Sequence, residues 1–154
     1  FFETIFNDIC NKCALRCQYT NHFERIDADT RSHHRCIVMI RNPYEIIASG
    51  VRYHQEAKEP WMLQSQPTYG GKSYREALRA QSSDEAKIIF EMNGAGGGTI
   101  KDIAHLMRSG EANVAFVAIE SLYTEDGIRR LSRVIARHLN VTSECEERIH
   151  DVVR

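Results

Sequence analysis

A chain of 154 residues with 42% hydrophobic side chains is one domain's worth of polypeptide and can bury a real core. Its 20 Lys and Arg against 21 Asp and Glu leave a formal charge of −1, which excludes the broad basic face of a nucleic-acid binder and makes any anion site local. No apolar run approaches the roughly 20 residues of a membrane span, and no signal peptide is visible.

The chain starts Phe1-Phe2-Glu3, already inside an amphipathic pattern, so the expectation is a chain lacking its natural start. Phe2, Ile5, Phe6, Ile9, Cys10 and Cys13 fall on one helical stripe and predict a helix ending near Arg16 that packs on a sheet. Cys10, Cys13 and Cys17, with His22 as a fourth ligand by count, outline a metal or redox pattern. The stripe already accounts for Cys10 and Cys13, and structural zinc usually takes two such pairs, so no metal is expected. Five cysteines, odd in number and unevenly spread, read as reduced thiols. Residues 15–20 are read as a short strand and 24–34 as a polar connection.

Cys36 to Ile40 is an unbroken apolar run that reads as a strand buried on both faces, as in the centre of a parallel sheet. Arg41 ends it. Asn42 is a helix cap, Pro43 suits the first helical position, and Glu45 completes a capping-box spacing. The carboxyl end of a parallel strand meeting a helix amino end is where open α/β sheets bind ligands. Orphan N–H groups favour an anion there, and Arg41 adds a permanent charge with fork geometry. Pairing of Arg41 with a carboxylate elsewhere is the competing structural reading. The helix should run to about Gln55, with Ile46, Ile47, Gly50, Val51 and His54 on its packing face and Ser49 about two turns below the cap.

Residues 57–72, with Pro60, Pro67, Gly70-Gly71, Trp61 and Tyr69, read as an irregular loop. Trp61 can stack on a sugar or aromatic acceptor, or anchor its own loop. Ser73-x-x-Glu76 and Ser82-x-x-Glu85 open helices over about 74–81 and 83–93, with Ala86, Ile89, Phe90 and Asn93 on one side of the second. The glycine-rich run from Gly94 to Gly98 lacks the Lys-Ser/Thr ending of a Walker loop and reads as a linker or lid. Thr99 is expected to cap a helix carrying Ile100, Ile103, Leu106 and Met107 and ending at Gly110. Val114 to Ile119 is a second apolar strand, ending at Glu120-Ser121-Leu122. A helix bearing Ile128, Leu131, Val134, Ile135, His138 and Leu139 follows it, and Ser143-x-x-Glu146 opens a last helix to about Val153. No internal repeat appears, and a single domain over 1–154 is expected.

Arg41-Asn42-Pro43 after a hydrophobic strand, then Ile46-Ile47-Ala48-Ser49-Gly50 and Tyr53-His54, resembles the 3′-phosphate-binding segment of sulfotransferases that use 3′-phosphoadenosine 5′-phosphosulfate. Ala118-Ile119-Glu120-Ser121-Leu122 and His138-Leu139-Asn140 are weaker matches to that family's second strand and the helix after it. The resemblance implies an α/β fold, a three-layer parallel sheet akin to P-loop kinases, truncated at both ends. It implies that Arg41 and Ser49 hold the 3′-phosphate of the nucleotide, which leaves as adenosine 3′,5′-bisphosphate. It makes His22, nineteen residues before Arg41, the candidate base, although Asn21 stands where a Thr is expected. It puts the acceptor, a hydroxyl or amine and possibly a carbohydrate, near Trp61.

The family's phosphosulfate loop would lie just before Phe1, so this stretch alone is expected to turn over poorly. Two alternatives stand beside the sulfotransferase: a P-loop-like small-molecule kinase, and a non-catalytic nucleotide-binding or interaction domain. Cytosolic and Golgi-lumenal members both exist, so the compartment stays open, with cytoplasm the first choice.

Overall fold

A computed structural model describes residues 2–19 and 33–153. The elements run α1 (Phe2–Lys12), β1 (Cys36–Ile40), α2 (Pro43–Glu56), α3 (Pro60–Leu63), a 3₁₀ turn (Pro67–Tyr69), α4 (Tyr74–Arg79), α5 (Asp84–Asn93), α6 (Ala95–Ser109), β2 (Val114–Ala118), a second 3₁₀ turn (Ile119–Tyr123), α7 (Glu125–Leu139) and α8 (Ser143–Val153). They form two compact units, one of Phe1–Arg41 with Leu106–Arg154, the other of Asn42–His105.

In the first unit β1 and β2 pair in parallel, with Cys36 opposite Val114 and Ile40 opposite Ala118. The class is mixed α/β, mostly helical, and among the described residues the sheet has two strands rather than the many of a three-layer fold. With one neighbour among the described residues, β1 is not buried on both faces as expected: Val38 is buried, while Met39 is 37% exposed. The core sits where α1, β2, α7 and α8 meet, around Ile9, Val117, Leu131, Ile135 and Ile149. α7 supplies the largest share, Leu131, Ile135 and Ala136, because its apolar residues recur at helical spacing between Thr124, whose side chain caps the Gly127 N–H, and the left-handed Asn140. α8 is capped by Thr142 rather than the expected Ser143, the Thr142 hydroxyl accepting from the Cys145 N–H.

The cysteines correct the reading of reduced thiols. Cys10 is bonded to Cys17 and Cys13 to Cys145, and Cys36 is in no disulfide. Cys13–Cys145 ties the turn after α1 to α8 across 132 residues of sequence. The expected strand over 15–20 does not form at its described residues, 15–19. Ala14 adopts a left-handed φ of 53°, the Leu15 N–H closes back on the Cys10 carbonyl at 2.8 Å, and the Cys10–Cys17 bond holds the turn. That six-to-one bond is how helices end, and it turns the chain before a strand can start.

The second unit holds α2 to α5 and most of α6. α2 begins as the sequence dictates, the Asn42 side chain accepting from the Tyr44 N–H at 3.0 Å with Pro43 in the first position. The stretch expected to be irregular contains α3 and a 3₁₀ turn, pinned by an isolated bridge between Ser65 and Ser73. Met62 and Leu78 are fully buried there, with Tyr74 and Ala57 beside them. Ser73 and Glu76 form a full capping box on α4, and Ser83 caps α5 through the Ala86 N–H. Ser83 thus takes the place of the expected Ser82 cap, and the linker expectation fails too. The glycine-rich run is the first turn of α6, and Thr99 lies inside the helix, its hydroxyl donating to the Ala95 carbonyl, instead of capping it.

Candidate functional site

The strand end and the helix cap at which an anion site was expected form as the sequence implies. β1 ends at Ile40, Arg41 follows, and α2 opens on its Asn42 cap. Arg41 closes the first unit and Ser49 lies on α2 in the second; both are partly buried. Arg41 already has an interaction partner, so a phosphate would have to share or displace it. His22, the candidate base, lies outside the described residues. Trp61 lies on α3 at the surface, 41% exposed, with its ring 5.8 Å from the His54 ring and 5.6 Å from that of Tyr74. Its aromatic neighbours make it an anchor of its own loop, and its open face keeps it available to a ligand.

The structure also assembles, wholly within the second unit, a site that sequence reasoning missed. Glu91, in the last turn of α5, is fully buried. Three donors converge on its carboxylate: His54 Nδ1 from α2 at 3.0 Å, the Tyr74 hydroxyl from α4 at 2.9 Å, and the Gly96 N–H from the first turn of α6 at 2.8 Å. The Tyr74 hydroxyl in turn accepts from the Ala95 N–H at 3.0 Å. Two of the orphan N–H groups at the start of α6 are thus satisfied by a carboxylate and a phenol, and the positive end of that helix favours the negative charge placed on it.

Burying a carboxylate costs several kcal/mol unless charge-assisted hydrogen bonds compensate, so the three donors are what make Glu91 tolerable inside the unit. Burial pushes the Tyr74 phenol far above its ordinary value, and the adjacent Glu91 charge adds to the rise, while the Ala95 N–H opposes it. Tyr74 is therefore a standing donor to Glu91.

The backbone must come close for this to work. A Cβ on Gly50 of α2 would sit 2.7 Å from Glu91 Oε1, and one on Gly96 would sit 2.9 Å from the same oxygen. The sequence carried one indirect signal of this arrangement, the crowd of glycines just after Glu91. The apolar spacing of α5 pointed elsewhere. Ile89 and Met92 are more than half exposed, and the residue turned inward is the acid.

Next to this network an open groove of about 360 Å³ is lined by Tyr69, Gln81, Phe90 and Asn93 among others. None of its lining residues is charged. Among the described residues no cluster of His, Cys, Asp and Glu is arranged to hold a metal ion, and no helix is long and apolar enough to cross a membrane. Compared with known proteins, the chain matches no family model, no curated sequence and no solved structure.

Proposed function

We propose that this chain is a sulfotransferase domain that moves a sulfuryl group from 3′-phosphoadenosine 5′-phosphosulfate to a hydroxyl or amine acceptor, with carbohydrate the favoured class. The observation that supports it is the handover at Ile40: a parallel strand, then Arg41, then a helix whose cap and first residue, Asn42 and Pro43, are those the sequence motif requires. In this reading the guanidinium of Arg41 and the hydroxyl of Ser49 bind the 3′-phosphate, by charge-assisted and neutral hydrogen bonds respectively. β1 and β2 then supply two parallel strands of a three-layer sheet of the sulfotransferase type.

Catalysis in such a site is chiefly placement. The acceptor oxygen or nitrogen attacks sulfur in line with the departing phosphate oxygen, a base takes its proton, and cationic groups stabilise the charge gathering on the leaving oxygen. Trp61 gives the acceptor a flat apolar wall.

The reading is tested by calorimetric titration of the full-length protein with adenosine 3′,5′-bisphosphate and with 5′-AMP. The bisphosphate should bind more tightly, and Arg41→Ala should erase the preference. A hydrogen bond to a charged group contributes roughly 1.5–3 kcal/mol, which corresponds to about a 10- to 150-fold difference. Equal affinity for the two nucleotides in the unaltered protein refutes the assignment.

A further inference from the structure

We propose that His54, held by the buried carboxylate of Glu91, is the proton acceptor for the attacking group, an inference that rests on the sulfotransferase reading and supplies the base which His22 was expected to provide. Glu91 is fully buried and receives three donors, so toward His54 it acts only as an acceptor. An acceptor 3.0 Å from Nδ1 places the imidazole proton on Nδ1 and leaves the lone pair on Nε2. Nε2 has no hydrogen-bond partner among the described residues and is not one of their buried unsatisfied atoms, and the His54 side chain keeps 14% of its surface. The side chain is thus partly exposed while its Nδ1 edge is clamped.

This is the division of labour in any carboxylate–imidazole dyad: the acid fixes tautomer and ring orientation and stabilises the imidazolium when it forms. The surroundings suit it. Tyr53 of α2, Tyr74 of α4 and Glu91 of α5 are the titratable groups around the ring, and Trp61 of α3 stands edge-on to it at 5.8 Å. No cation is among these contacts to oppose protonation. Trp61 is 41% exposed and its ring lies 5.8 Å from that of His54, so a surface an acceptor can stack on and the imidazole are neighbours.

In the step, the acceptor oxygen forms a bond to sulfur as the bond from sulfur to the bridging phosphate oxygen breaks. That electron pair stays on the departing bisphosphate. The hydroxyl proton passes to His54 Nε2, which returns it to solvent after product leaves. Glu91 is a positioning residue.

Three measurements on the full-length protein test this. The ¹⁵N shifts of the His54 ring in the ligand-free protein should show the Nδ1–H tautomer, and should lose that bias in Glu91→Gln; an Nε2–H tautomer overturns the dyad. His54→Asn keeps a donor toward Glu91 but has no base. With ³⁵S-labelled donor and a saccharide panel led by lactose and N,N′-diacetylchitobiose, it should lower kcat/KM by about 10²–10⁴-fold and remove the acid limb of the pH profile. Bisphosphate affinity should stay within twofold, and added imidazole should partly restore turnover in His54→Ala. A His54→Asn protein that binds bisphosphate and keeps both rate and acid limb refutes the proposal. Failure of the unaltered protein to prefer the bisphosphate refutes instead the reading beneath it.

Discussion

Two adjacent glycines give the sharpest test of how the second unit is built. If the run from Gly94 to Gly98 were a linker, alanine at any of its positions would be neutral or mildly stabilising. In the structure the run opens α6, and its members differ. A Cβ at Gly97 would lie 1.8 Å from the main-chain oxygen of Met92, whereas a Cβ at Gly98 meets nothing within 4 Å. Alanine in place of a helical glycine gains up to about 1 kcal/mol at either site. Overpacking costs about 1–3 kcal/mol, and the upper end applies at Gly97 because a carbonyl oxygen cannot rotate away as a side chain would.

Gly97→Ala should therefore lose about 2 kcal/mol net while Gly98→Ala gains up to about 1, a separation of about 3 kcal/mol. At roughly 2–4 °C per kcal/mol for a chain of this size, the two Tm values should differ by roughly 6–12 °C. Differential scanning calorimetry of the two variants beside the parent decides the matter. If Gly97→Ala is as stable as Gly98→Ala, α6 does not abut the end of α5, and the Glu91 network described above goes with it.

Reduction should destabilise the first unit unevenly. By chain entropy the Cys13–Cys145 bond, closing 132 residues, is worth about 5 kcal/mol and the Cys10–Cys17 bond, closing 7, about 2. The double variant Cys13→Ser/Cys145→Ser should therefore lower the urea midpoint more than Cys10→Ser/Cys17→Ser, and the reverse order refutes the pairing. Since structural disulfides persist in oxidising compartments, non-reducing peptide mapping of protein from its native source should recover both pairs. Tyr74→Phe removes a donor to Glu91 and strands the Ala95 N–H, so it should cost about 1–3 kcal/mol by chemical denaturation. Because the Tyr74 phenol is raised above its ordinary 10.0, its contribution is fully present below pH 10 and is lost as pH climbs toward the folded value. The parent should lose stability above pH 10 more steeply than Tyr74→Phe, and identical alkaline slopes refute that assignment.

The sequence by itself determined the elements whose causes are local. β1 was readable to the residue because five apolar residues are bounded by a charge, and the start of α2 because Asn42 and Pro43 satisfy a helix terminus wherever it lies. The helix after Ser73 announced itself the same way, through a side chain that reaches only three residues ahead. The tertiary structure decided what depends on partners distant in sequence. The pairing of Cys13 with a residue 132 positions on cannot be read from spacing, and α5 turned an acid inward against the direction of its apolar stripe. His54, Tyr74 and the start of α6 come from three separate helices, and only folding brings three donors to one carboxylate. A glycine run looks like slack in a sequence, and beside a buried charge it is the one composition that lets a backbone approach closely enough to neutralise it.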